Sequence, residues 1–369
     1  MREFRRISHA AGIRENRMNF EKTVIYHLNK CYAMTNLQYN GAHHFVVASE
    51  KEDRCLLFDD SGRLEDTIWE KPGGTMSMVQ VPGTNGQFLA VQRFYSPNES
   101  EHAKVVVVTP VDGKWHVRTL TELPFVHRID ILQSGGANYF IACALKSGHR
   151  FDEDWSMPGK VYAARLPEKL DAFDESAPLP LTVLKDNMLK NHGYYRIEED
   201  GRQSCVISFE GGVCRFFPPD APDGVWKIEP LLSVPASDAV LVDMDGDGED
   251  ELAVLSPYHG DTFSFYKQSG GKYEKVYECG HKLEFIHALY GGPLGGRPTV
   301  VVGHRNGKQE LLAFTYNSAT KSYEEECLDC GCGPANVLHY VRNGTDVLIA
   351  TNREIDEVAS YVVQGRKKQ

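Results

Sequence analysis

The chain has 369 residues, with 51 acidic and 40 basic side chains and a formal net charge of −11. That balance argues against nucleic acid and anionic membrane as partners, and no apolar run approaches the ~20 residues of a spanning helix. Hydrophobic residues make up 41%, enough for a sizeable core, and nine cysteines without a secretory apolar segment fit reduced thiols in a cytoplasmic protein.

Residues 1–17 are polar and carry five arginines. The peptide Ile13-Arg14-Glu15-Asn16-Arg17 can be encoded with a purine-rich AAGGGAG just upstream of the codon for Met18, the pattern of a bacterial ribosome-binding site. Translation is therefore expected to start at Met18, with 1–17 a disordered or non-native leader. Next comes an apolar strand without an obvious local partner, Thr23-Val24-Ile25-Tyr26-His27-Leu28.

A unit then recurs: a short apolar strand, a Gly-containing turn, a second apolar strand, and two amphipathic strands. The units begin at 35, 76, 127, 192, 238, 287 and 336, spaced 41 to 65 residues apart. Six carry turns such as Asn40-Gly41, Gly135-Gly136 and Asn343-Gly344. Four-stranded propeller blades repeat at roughly 40–50 residues. Outer strands are visible at 104–109 with 115–120, and at 262–266 with 273–278. The last unit runs out near Val363 with three strands, so the orphan strand at 23–28 is expected to supply its fourth and remove a free sheet edge. The sequence predicts an all-β, seven-bladed β-propeller over 18–364, with four-stranded blades and a disordered basic tail at 365–369.

The fifth unit holds Asp243-Met244-Asp245-Gly246-Asp247-Gly248-Glu249-Asp250-Glu251-Leu252. Alternating carboxylates on a tight loop suit a hard cation. An EF-hand would need a glutamate six residues after its glycine, where Val254 stands, and the flanks are valine-rich strands rather than helices. Asp-x-Asp-x-Asp-Gly-x-x-Glu-Leu between two strands resembles the calcium loop of FG-GAP or VCBS-type repeats, which build propellers including the integrin α-subunit head. The match covers about one blade. It implies a structural Ca²⁺ on Asp243, Asp245, Asp247, Glu249 and Glu251, with Glu251 where the family usually has Asp.

In a propeller the first strand of each blade begins at one mouth of the channel and the second ends there. The first column reads Thr35, Met76, His127, His192, Asp238, His287 and Asn336; composition alone would place fewer than one histidine among seven positions. The second column holds Arg93, Lys146, His149, His259, His304, Arg305 and Arg353. Together they predict a cationic, imidazole-lined bowl near solvent, suited to an anionic or polyhydroxylated ligand. Alanine at His127, His192 or His287 is then expected to cost no more than about 1 kcal/mol. Imidazole near its working pH with guanidinium nearby suits proton abstraction beside a carbonyl, and three imidazoles suit zinc or another divalent transition metal.

The third unit is the longest, with an insertion after its second strand that contains His149 and Trp155; Trp155 is placed to stack on a sugar ring. Cys327, Cys330 and Cys332 form the one thiol cluster, without a fourth zinc ligand nearby in sequence.

Oligogalacturonate lyase, ulvan lyase and the propeller region of aldos-2-ulose dehydratase resemble this layout at the level of fold. That resemblance implies a cytoplasmic carbohydrate lyase, dehydratase or isomerase acting on a small anionic or keto-sugar. His127, His192 and His287 would bind metal or move protons, with Asp238 orienting them. Arg128, Arg305 and Arg353 would hold an anionic oxygen, with His149, Trp155, Tyr258, His259 and His304 around the substrate. The alternative is a non-catalytic propeller that binds a protein or glycan.

Overall fold

The computed structural model describes residues 18–52, 54–221 and 224–364, so the expected leader at 1–17 and tail at 365–369 lie outside the described residues. Seven four-stranded antiparallel sheets form the blades of a β-propeller, spanning 31–69, 78–122, 126–188, 193–232, 238–278, 286–329, and 336–363 together with 20–27. No helix is long and apolar enough to cross a membrane among the described residues.

The chemistry of each strand follows its place in the blade. Second strands such as Phe88–Gln92 are buried throughout, because neighbouring blades cover both faces, and they read as unbroken apolar runs. Outer strands such as Lys272–Glu278 keep most side chains in solvent and mix apolar with charged residues. The core lies between blades. Phe263 of blade 5 meets Phe314 of blade 6 with ring centroids 4.5 Å apart, and each such buried ring is worth about 1.5–3 kcal/mol.

The ring closes as the sequence predicts. Strand Phe20–His27 pairs antiparallel with Glu357–Val363, from Phe20 opposite Val363 to His27 opposite Glu357. Lys22 pins it across the seam, 2.8 Å from Asp329 and 2.7 Å from Glu357.

One irregularity recurs and positions the site. In blades 1, 3 and 6 the first strand skips one residue in its pairing: between Cys31 and Ala33, between Val126 and Arg128, and between Ile286 and Ala288. The bulged residues are Tyr32, His127 and His287. Such a bulge re-aims a side chain without ending the strand. Two residues earlier the backbone is left-handed each time, at Lys30 (φ 47°), Phe125 (φ 60°) and Phe285 (φ 57°), and again at Lys190 (φ 53°) ahead of His192.

Candidate functional site

The side chains delivered by these strand starts meet in the centre of the ring. The Tyr32 hydroxyl lies 3.0 Å from Nε2 of His287 and 3.5 Å from Nε2 of His127. The His127 and His192 rings are 4.5 Å apart, and His192 and His287 5.1 Å. His259, from the end of a second strand, brings its Nε2 to 3.4 Å from that of His192. His192, His259 and His287 each offer a nitrogen within 4.8 Å of the others. Two of the three are oriented by backbone: Nδ1 of His287 donates to the carbonyl of Ala335 at 2.6 Å, and Nδ1 of His192 to that of Ser237 at 3.2 Å. That arrangement turns each Nε2 lone pair inward, as in metal-binding histidines whose second nitrogen is held by a carbonyl.

The expectation of a bowl near solvent fails. His127, His192 and His287 are 3%, 1% and 2% exposed. Blade 5 closes on blade 4 beside them, where a side chain on Gly193 would stand 2.5 Å from the carbonyl oxygen of Ser237. Burial pushes all three imidazoles well below their usual range, with neighbouring imidazoles, Arg128 and Arg305 acting the same way. His259 is lowered to about 3, first by burial and then by Arg305, Lys190 and Arg128. The cluster is therefore neutral at ordinary pH. Burial also pushes the Tyr32 phenol up to about 12.

Aromatic side chains wall the cluster. Phe94 packs edge-on to His127, and Phe285 stacks on His259 at 4.4 Å. Tyr258 stacks on the other side of His259 at 4.0 Å and touches Trp155 at 5.6 Å. Trp155 thus reaches the rim, where Lys146 and Lys190 lie over its ring.

The cationic column is not an open field of positive charge. Arg353 pairs with Glu50 and, at 3.0 Å, with Glu354; Arg305 meets Glu354 at 2.7 Å. His149 pairs with Glu101. His304 is committed to its own loop, with Nδ1 bonded to the Asn306 carbonyl at 2.9 Å and Nε2 near Glu310. Local carboxylates thus neutralise Arg305 and Arg353, while Lys146 is held by Asn98, His149 and the Asp154 carbonyl.

Asp238 does not stand in the histidine column. Pairing of Asp238 with Leu255 and of Gly193 with Ser208 makes Ser237 the counterpart of His192, and Asp238 falls one residue further along. There it lines a cavity of about 180 Å³ with Arg128, Asn336, Met76 and Tyr195. Burial raises its carboxyl to about 7, against the opposing pull of Arg128 and the Ala239 amide. Arg128 reaches Oδ1 of Asn336 at 3.5 Å, and its Nε is buried without a partner. Sequence alone did not place Tyr32 here: it stands three residues before Thr35, and a register match of Cys31-Tyr32-Ala33 to Ile286-His287-Ala288 would have found it.

Two further groups singled out in the sequence lie away from the channel. The acidic loop of blade 5 joins Asp238–Val242 to Glu251–Ser256 at the end remote from the histidines. Asp243, Asp245 and Glu251 converge there, while Glu249 is exposed and outside the group. Cys327 and Cys330 are exposed, with sulfurs 2.6 Å apart and Glu310 3.9 Å from Cys330. Cys332 is buried and bonds the Gln309 carbonyl instead.

The chain is thus a seven-bladed β-propeller with a buried imidazole cluster at its centre; no protein-family model matches it, and no curated protein does.

Proposed function

We propose that this propeller binds a divalent transition metal, zinc or a neighbour of similar preference, on His192, His259 and His287, and that the centre serves a cytoplasmic lyase, dehydratase or isomerase reaction on a small anionic or keto-sugar. One observation carries the metal: three neutral imidazoles with converging nitrogens, two of them held by backbone carbonyls. Nitrogens bound tetrahedrally at about 2.0–2.1 Å stand about 3.3 Å apart, close to the 3.4 Å between His192 and His259. Tyr32 donates to Nε2 of His287, so its hydroxyl must turn aside for that nitrogen to coordinate. A bound metal would supply Lewis acidity toward a carbonyl oxygen. The chain itself would supply Arg128 for an anionic oxygen and Asp238 as a carboxyl that exchanges a proton near neutral pH. The blade 5 loop supports kinship with FG-GAP or VCBS-type repeats.

The burial of the cluster and the neutralised cations around it favour a second reading, a non-catalytic propeller that binds a protein or glycan. Cobalt substitution separates the two. Wild type should give visible d–d absorption on adding Co²⁺, and His259→Ala should lose it. The cobalt or zinc protein should then form new ultraviolet-absorbing double bonds, or isomerised product, from a panel of uronates and keto-sugars. Metal binding with sugar affinity but no turnover across the panel would favour the binding scaffold.

A further inference from the structure

The acidic loop of blade 5 already contains a cation. Lys267 projects from the third strand, Thr262–Ser269, into the middle of the loop. Its Nζ lies 2.6 Å from Oδ2 of Asp245, 2.7 Å from Oδ2 of Asp247 and 3.0 Å from Oε1 of Glu251. An ammonium has three N–H donors and no acceptor; this one donates a hydrogen bond to Asp245 and stands in ion-pair range of Asp247 and Glu251.

Loop amides take the other oxygens. Asp243 accepts from Gly246 at 2.8 Å and from Gly248 at 3.0 Å. Asp247 accepts from the Glu249 amide at 3.0 Å, and Glu251 accepts from Met244 at 2.7 Å through its second oxygen. The loop is folded around these bonds, and Oε1 of Glu251 is left with the Lys267 ammonium as an ion-pair partner rather than a well-aligned hydrogen bond.

The arrangement disagrees with a resident Ca²⁺. Calcium takes six to eight oxygens. Here Glu249 is exposed and outside the converging carboxylates, and the centre between Asp245, Asp247 and Glu251 is filled by a positive charge. A divalent ion at that centre would have to expel the ammonium. Glu251 is fully buried, and a buried carboxylate is costly unless paired. Lysine is its partner. Burial works against the charge on Lys267, but bonds from Asp245, Asp247 and Glu251 outweigh it and hold the ammonium more firmly protonated than usual.

We propose that Lys267 is the permanent cation of this loop: a tethered ammonium takes the place of an exchangeable calcium ion, and blade 5 assembles without metal. The claim is independent of the channel metal, because the loop lies at the opposite end of the same two strands.

The test uses the whole chain and calcium itself. Wild type should melt at the same temperature in chelator and in millimolar Ca²⁺, and calorimetric titration with Ca²⁺ should show no binding. Lys267→Met keeps the aliphatic stem and removes the charge. It should melt several degrees lower in chelator, and added Ca²⁺ should restore part of the loss. Calcium-dependent melting of wild type, or saturable calcium binding to it, would overturn the proposal even if the variant failed to fold. So would a Lys267→Met protein that melts like wild type in chelator.

Discussion

At the scale of single residues, the informative fact is that His127, His192, His259 and His287 are held neutral. An unfolded histidine titrates near 6.5, whereas these folded ones titrate well below, His259 at about 3. As pH falls through 6.5 the unfolded chain takes up protons that the folded one refuses, and stability drops. Each histidine contributes up to about 1.4 kcal/mol per pH unit in that window. Asp238 works in the opposite sense. Its folded carboxyl titrates at about 7, so between roughly pH 4 and 7 it favours folding more at the acidic end. Asp250, raised to about 6, and Glu251 act with Asp238, and His43 acts with the four imidazoles; the imidazoles outnumber the carboxyls, so the urea midpoint of metal-free protein should fall from pH 6.5 to 5. His127→Leu removes a buried ring whose Nδ1 has no partner; it should flatten that slope by about one proton. An unchanged slope would show that His127 is not held neutral by the fold. The cost of truncation also changes from the solvent-exposed expectation. His192→Ala empties a buried site and strips the Ser237 carbonyl of its donor, so urea unfolding should show a loss of about 2–4 kcal/mol. A loss below 1 kcal/mol would mean the site is wet.

The three histidines of the first column were legible because a polar ring at the head of an apolar strand stands out. Tyr32 was not, because a bulge adds a residue that shifts any count made along the strand. Asp238 was misplaced by one for the complementary reason: blade 5 pairs from Asp238 to Val242 without a bulge.

At the scale of elements, strand order, the closing strand and the outer pairs follow from alternation and turn residues. Deleting 18–27 should expose the edge of Glu357–Val363 and yield oligomers on size exclusion; a monomer with unchanged melting would contradict the seam. The irregular stretch 167–181 was not legible as structure. It has no periodicity, yet Leu170 and Leu179 are buried and Arg118 ties it down through the carbonyls of Leu170, Asp171 and Phe173. Arg118→Ala should leave melting within about 1 kcal/mol of wild type and speed limited proteolysis within 167–181. Equal cleavage rates would show that the arginine does not anchor the segment. The acidic loop shows how register carries chemistry across distance. Leu252 pairs with Tyr266, which sets Lys267 opposite Glu251. A motif confined to ten consecutive residues cannot include a partner supplied by the next strand.

At the scale of the whole molecule, the ring brings together groups that the chain keeps far apart. Tyr32 and His287 are 255 residues apart in sequence and 3.0 Å apart in space. Seven first strands converge on one axis, and what their starts carry becomes a shared environment: buried, aromatic-walled and rich in nitrogen lone pairs. The same geometry sends Arg305 and Arg353 at the second-strand ends to carboxylates on neighbouring loops. At this scale the proposal is one metal site, shared by His192, His259 and His287 across blades 4, 5 and 6. Its most direct test is metal content by elemental analysis of protein purified without chelator, beside His192→Ala and His259→Ala prepared alike. Wild type should hold about one equivalent of a single transition metal per chain, and either folded variant near none; wild type that stays metal-free after incubation with zinc, cobalt, manganese and iron(II) would overturn it.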